Sequence, residues 1–456
     1  MRQKMVWLVT VLFTGIIFLL SACSPAGPPS SELASGETPA PKAATASPPA
    51  GEVVKLKAEV EPAILEPFFE QFAAETGATV VVEVPGVPAL DYLTEIRQDL
   101  ETGSSDIDVY LIDVIWPRIL AEHALNLADY IPAAVIEQHP PAIVENNTVD
   151  GKLVALPHFI DVGLLYYRPE LLAKYGFEGP PVTWAELEAM ALTIQTGERQ
   201  AGHTEFWGFV WQGQNYEGLT CNALEWQFAH GGGRIIEPDG TITVNNPQTI
   251  AAFERAAGWV GTISPPDVTI YLEEDARGVW QSGHAAFMRN WPYAVALGNQ
   301  TGSPVKDKFA VTVLPTGGVR PAATLGGWQL MASKYSKQPE LAVKLVQRLT
   351  GREVQKAQAI TAASLPSYEA LYGDPDVLAA WPYLAGLLPV VKSAVARPST
   401  VTGAQYVEVS AAYHNHVHAI LTGDVSAAEG VARLEAELVD ITGFRTGPPP
   451  SSKLEH

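Results

Sequence analysis

The chain is short of cysteine and of positive charge, and each shortage excludes something. Of its 456 residues only two are cysteine, Cys23 and Cys221. If Cys23 is used at the N-terminus, as argued below, no internal disulfide is possible and the fold must be held by its apolar core. Cys221 has no histidine beside it and reads as a small buried side chain, not a reactive thiol. Lysine and arginine number 29 against 50 aspartate and glutamate, a net charge of −21. That balance argues against nucleic acid and against an anionic membrane surface as partners. No P-loop, no dinucleotide-binding glycine fingerprint and no His-Glu-x-x-His motif occurs, so neither cofactor nor metal is expected. His414 and His418 share a helix face at i, i+4, but with no third ligand they read as part of a solvated face. No internal repeat is visible.

The N-terminus has an address. Arg2 and Lys4 precede the stretch Met5 to Leu20, apolar apart from Thr10, Thr14 and Gly15. It is short for a membrane span and suits the core of an export signal. It ends in Leu20-Ser21-Ala22-Cys23, which resembles a bacterial lipobox. The resemblance implies a lipoprotein signal peptide over 1–22, with Cys23 as the lipidated first residue of the mature protein. Contact with the membrane would then be through a lipid anchor only. Residues 23–51 are rich in Pro, Ala, Ser, Gly and Thr and read as a disordered tether, able to span about 30 Å on average if flexible. Residues 447–456, beginning before a triple proline and closing on Lys453-Leu454-Glu455-His456, read as a disordered tail ending in cloning-vector residues.

The remaining 400 or so residues suffice for two domains with separate cores. Their opening is an α/β alternation. Val53 to Val60, Thr79 to Val84 and Ile107 to Ile112 read as strands. Between them Leu65, Phe68, Phe69 and Phe72, then Leu90, Leu93, Ile96 and Leu100, recur at helical spacing. A largely parallel sheet is expected, with Asp113 at a strand's carboxyl end, where open α/β sheets collect ligands. Val154 to Tyr167 is strand-like but interrupted by Asp161. Thr183-Trp184-Ala185-Glu186 is a capping box that starts a helix. From there to about residue 300 the pattern is mainly helical; two strand-like segments return between Phe309 and Ala332, and the last third is helical.

Aromatic residues beside backbone punctuation are the candidates for chemistry. Pro292 fixes the chain between Trp291 and Tyr293, and Trp328 follows Gly326-Gly327. A pyranose packs its C–H face on such a ring while carboxylates accept from its hydroxyls, a role for Asp113 and Asp161. Further landmarks are Asp150-Gly151-Lys152, Leu165-Tyr166-Tyr167-Arg168, Trp207 to Gly213, Tyr216-Glu217-Gly218-Leu219, Phe287 to Ala294, Ala323 to Trp328 and Arg397-Pro398. In this order they resemble the sugar-binding lipoproteins that feed ABC importers. That group is solute-binding protein family 1 of the periplasmic binding-protein superfamily, and the nearest likeness within it is to trehalose/maltose-binding proteins.

The resemblance covers residues 53 to 445 and implies an α/β, two-lobed periplasmic-binding-protein fold with discontinuous lobes, a hinge and an interlobe cleft. The expected lobes are 52–161 plus 313–366 and 162–312 plus 367–446. It implies Asp113 and Asp161 as hydroxyl acceptors, Trp291, Tyr293 and Trp328 as platforms, Gly327 as a backbone contact, Arg397 as a hydroxyl donor and Glu61 as an N-terminal acidic ligand. It implies no catalytic residue. The partners would be an oligosaccharide, probed first as trehalose or maltose, and an ABC permease with a cytoplasmic ATPase; the protein would act as a monomer on the outer face of the cytoplasmic membrane. Three departures each remove a polar group: the N-terminal glycine cluster is missing, Phe159 replaces a Tyr, and an Arg is replaced near Tyr92-Leu93. The alternatives are a secreted glycoside hydrolase, which would need two carboxylates about 5–10 Å apart, and a sugar sensor without transport.

Overall fold

The computed structural model describes residues 51–60, 62–86 and 91–450. Cys23, the signal, the tether as far as residue 50, Glu61, Leu90 and residues 451–456 lie outside them.

β1 (Val53–Lys57), β2 (Thr79–Glu83) and β3 (Val109–Asp113) are parallel and are connected by the helices Pro62–Thr76 and Tyr92–Glu101. The helices bury Leu65 and Phe72, and Ile96 and Leu100, against the sheet, so the apolar spacing read from the sequence is the packing face. A hairpin of β4 (Thr148–Val149) and β5 (Lys152–Leu153), turned by Asp150-Gly151, leads into β6 (Ala155–Val162). The expected parallel character stops there. β11 (Leu325–Ala332) lies between β3 and β6 and is antiparallel to both, giving the order β2-β1-β3-β11-β6. This strand arrives from the other lobe, not through a local helical crossover, so nothing forces it to run parallel.

The strand-like run at 154–167 is two strands in two sheets. β7 (Leu164–Tyr167) joins β8 (Trp207–Val210), β9 (Ala285–Asn290) and β10 (Ala310–Thr312) in the order β10-β7-β9-β8. The break falls at Gly163, not at Asp161, which stays in β6 opposite Gly326. Gly163 has no room for a side chain: a Cβ would lie 2.0 Å from Glu225 Oε1 and 2.6 Å from Arg289 Nη2. β8 and β9 occupy a stretch that reads as mainly helical. All six residues of β9 are buried, and a strand covered on both faces loses the alternation that would reveal it.

Around the second sheet pack the helices Trp184–Gln200, Glu217–Ala229, Pro247–Trp259, Tyr406–Leu421 and Ala427–Thr442. The capping box is formed: Thr183 Oγ1 accepts from Glu186 N at 3.1 Å and Glu186 Oε2 from Thr183 N at 3.0 Å. Most indoles here are core. Trp211 meets Trp226 edge-on at 5.0 Å, and Trp226 meets Trp259 at 5.5 Å. Cys221 is buried, as expected, and burial pushes its thiol up to about 12.

Residues 367–392 have ties of both kinds: Tyr372, Val377, Leu384 and Leu387 share the apolar core of the second sheet and its helices, while Lys356 of the helix Arg352–Ala362 bridges Asp374 and Asp376 at 2.9 and 2.6 Å, and Trp381 Nε1 donates to Ile360 O at 3.0 Å. One boundary differs from the expectation: the tail is held past 446, since Gly447 N donates to Ile242 O at 3.0 Å and Pro449 lies against Gly233.

Candidate functional site

A cavity of about 860 Å³ lies between the two sheets, and Asp113, Asp161, Trp291, Tyr293, Gly327, Trp328 and Arg397 all line it. It falls within the size range of small-molecule sites.

β11 presents the first wall. Trp328 is paired with Asp113 on β3 and Phe159 on β6. Its largely buried ring takes the edge of Trp116 at 5.7 Å and lies 6.3 Å from Tyr92. A register shift between Trp328 and Gln329 re-aims the strand here, as bulges beside functional sites do. Gly327 makes the approach possible. Its φ is +114°, and a Cβ would stand 2.5 Å from Phe159 O and 2.7 Å from Ile160 Cα, both backbone atoms that cannot turn aside.

β9 and the chain after it present the second wall. The Arg289 guanidinium lies 4.0 Å from the centre of the Trp291 ring, a cation–π contact that backs one face. Arg289 is itself buried against Glu225, with bonds of 2.5 and 2.9 Å. Trp291 Nε1 donates to Glu273 Oε1 at 3.3 Å, and Tyr293 Oη to Glu274 Oε1 at 2.6 Å.

The charged groups are arranged unevenly. Arg397 is buried and its fork is used: Nη1 donates to Glu217 at 2.7 Å, and Nη2 to Asp113 and to Leu325 O, both at 3.3 Å. Glu217 also accepts from Tyr406 Oη and from Ser410 Oγ at 2.6 Å. Arg397 therefore joins a first-lobe strand to a second-lobe helix, and only its Nε lacks a partner. Desolvation raises the Asp113 carboxyl, with Arg397 opposing. Asp161 is raised well above the ordinary range, by burial first and then by the charge of Asp113, with Arg289 opposing.

Several lining residues escape the sequence reading. Trp116 precedes Pro117 just as Trp291 precedes Pro292, a signature that could have found it. Glu217 lies inside a quoted landmark; Glu273 and Glu274 open the helix Glu273–Gln281 with no local sign of their partners. The departures make one side of the cleft apolar: Leu93 and Phe159 line it beside Ile64 and Leu65, while the Tyr92 hydroxyl turns away to Lys57 O at 2.9 Å. Glu59 and Val60 line the cavity. His414, His416 and His418 are partly exposed, and each has a hydrogen-bond partner: His414 meets Asn215, His416 meets Glu437 at 2.7 Å, and His418 meets Thr269 O at 3.0 Å.

Comparison with known proteins gives one consistent answer. The family described as bacterial extracellular solute-binding protein matches residues 57–356. A probable ABC transporter-binding protein of Deinococcus radiodurans is 50% identical over 376 residues, 82% of this chain and 89% of its own. Among solved structures, maltose-bound MalE3 of T. maritima is similar at a TM-score of 0.79 and 35% identity, covering 85% of this chain and 99% of that one. The GacH receptor of Streptomyces glaucescens, solved unliganded and with acarbose, has a TM-score of 0.75 and covers 87% and 99%; at 23% identity it shows a common fold alone.

Proposed function

The chain belongs to the bacterial extracellular solute-binding protein family, and from that premise we propose that it is the sugar-binding component of an ABC importer. It is a binding protein, not an enzyme, so the two cleft carboxylates serve recognition and not hydrolysis. One observation carries the sugar reading: indoles from opposite lobes, Trp328 and Trp291, face one cavity together with Asp113 and Asp161. Rings take the apolar faces of a pyranose, and carboxylates accept hydrogen bonds from its hydroxyls.

The ligand is a neutral oligosaccharide, with an α-glucoside disaccharide such as maltose or trehalose as the first candidate; a maltose-bound relative at 35% identity supports this class. Charge supports neutrality. Glu59, Asp113, Asp161, Glu217, Glu273 and Glu274 line the cavity, whereas among the described lining residues the one arginine, Arg397, is already shared by two of them. A uronate or sugar phosphate would meet repulsion without a free cation. Sugar touching both walls favours the closed arrangement of the lobes, and the closed protein docks on the permease, whose ATPase drives import. Lipid at Cys23 would hold this monomer at the outer face of the cytoplasmic membrane.

Calorimetric titration with maltose, trehalose, sucrose and longer α-glucans, followed by recovery of the sugar, tests the proposal. Saturable binding with intact sugar is the expected result. Product formation would overturn the receptor reading, and failure of every α-glucoside would overturn the ligand class.

A further inference from the structure

The first turn of the helix Glu273–Gln281 lies beside the aromatic residues of the second wall and lines the cavity with them. Its two leading carboxylates divide the work. Glu273 accepts from Trp291 Nε1 through Oε1 at 3.3 Å and from Tyr216 Oη through Oε2 at 2.6 Å. Glu274 accepts from Tyr293 Oη at 2.6 Å and pairs with Arg277. The backbone follows the same scheme: Asn290 Nδ2 donates to Glu273 O at 3.1 Å, while Asn290 Oδ1 accepts from Trp291 N at 2.8 Å. Trp291 is thus fixed at its indole N–H, its backbone N–H and, by Arg289, one face. Trp291 nonetheless lines the cavity, so part of its surface remains for a ligand.

From this geometry we infer that Glu273 is a positioning residue, which sets the plane of the Trp291 platform by holding its indole N–H and couples it to Tyr216. The inference rests on the reading of Trp291 as a sugar platform. An indole has one donor and no acceptor, so only an acceptor can hold it, whereas a tyrosine hydroxyl both donates and accepts. Glutamine at 273 keeps the arrangement: its oxygen takes the indole N–H, its amide donates to Tyr216 Oη, and the hydroxyl reverses its role. Alanine or leucine leaves both groups without a partner and frees the ring to turn. A ring that must be reordered on binding costs affinity.

The test compares E273A and E273Q in the full chain. The Trp291 indole N–H signal in a proton–nitrogen NMR spectrum is identified by its loss in W291F. In the absence of sugar, that signal is expected to shift and exchange faster in E273A and to stay in place in E273Q. Maltose affinity is expected to fall about tenfold or more in E273A, the effect of one lost hydrogen bond together with reordering, and to remain within about threefold in E273Q. An unmoved indole signal in E273A overturns the inference. So does an E273Q as weak as E273A with its indole signal intact, since the charge would then be acting on the ligand itself. If the wild-type protein binds no sugar while the indole signals behave as expected, the ligand class fails and the positioning role stands.

Discussion

Replacing Trp328 by alanine separates two roles that the structure gives to one ring. Most of Trp328 is covered, in part by Trp116 and Tyr92; the smaller part faces the cleft. A tryptophan buries about 200 Å² when fully covered, so the packed part amounts to roughly 150 Å² and the cleft part to roughly 50 Å². At about 25 cal/mol per Å² loss of the packed part costs about 4 kcal/mol of stability without sugar, a fall in Tm of about 5 °C for a chain of this size. The cleft part is covered only when sugar binds. The same conversion gives about 1.2 kcal/mol of affinity, or about eightfold in Kd. Calorimetric titration and thermal unfolding of the sugar-free protein read the two separately. Affinity within twofold of the wild type, alongside a lowered Tm, would refute the platform role and leave Trp328 as a packing residue.

Other perturbations probe the rest of the cleft. Gly327→Ala combines a positive φ with backbone atoms 2.5 and 2.7 Å from the new Cβ; a stability loss of about 3 kcal/mol or more in denaturant unfolding is expected, and a loss under 0.5 kcal/mol would contradict the close approach of β6 and β11. Arg397→Met leaves Asp113 and Glu217 without their shared cation; because both carboxylates are partly open to the cavity, a loss of about 1–3 kcal/mol is expected, partly recovered in the double variant with Asp113→Asn. Full additivity of the two changes would show that the bridge is idle. His158 supplies a pH signature. It is buried, donates from Nδ1 to Leu349 O at 2.9 Å, and burial pushes it down to about 4 from 6.5. Between those values the unfolded chain holds a proton that the folded one does not, so the contribution is present above pH 6.5 and falls away towards pH 4. At pH 4.5 the loss is about 2.5 kcal/mol. The stability gap between the wild type and His158→Gln should shift by that amount from pH 7 to 4.5, a difference in which the opposing contribution of the raised Asp161 cancels. A constant gap would mean that His158 titrates normally.

The sequence was legible where a local rule governs the outcome. Asp113 is recognisable at the end of β3 because a strand, its turn and the following helix are neighbours in the chain. Trp291, Tyr293 and Trp328 are recognisable because proline and glycine beside an aromatic residue signal a ring presented on a fixed backbone. Glu217 and Glu273 were not legible. Glu217 meets Arg397, Tyr406 and Ser410 some 180 residues further on, and nothing local to the acid announces such a partner. Arg397 shows the converse: the residue was found, but its fork is occupied by carboxylates from both lobes, a fact that exists only once the lobes are assembled. The antiparallel sense of β11 was hidden for the same reason, since its direction is set by the route the chain takes through the other lobe.

The pivot and the platform share their support. Two of the points at which the chain passes between the lobes, Gly163 and Thr324, converge on the buried pair Glu225–Arg289. Gly163 is packed so closely that a Cβ would strike both side chains, and Thr324 N donates to Glu225 Oε1 at 3.1 Å. Thr324 Oγ1 also reaches Cys221 O at 2.9 Å, on the helix that holds Glu225. The cation of that pair is the one against the Trp291 ring. A buried ion pair is expensive to break, because removing one member strands the other, and it contributes little net stability beyond what apolar residues would give. Its place at the crossing points therefore says more about position than about stability. Trp291 is held by the same pair that packs the crossing points, while Trp328 rides on the sheet of the other lobe. In the proposed receptor, closure would narrow the cavity between the walls that carry the two rings while each ring keeps its own support.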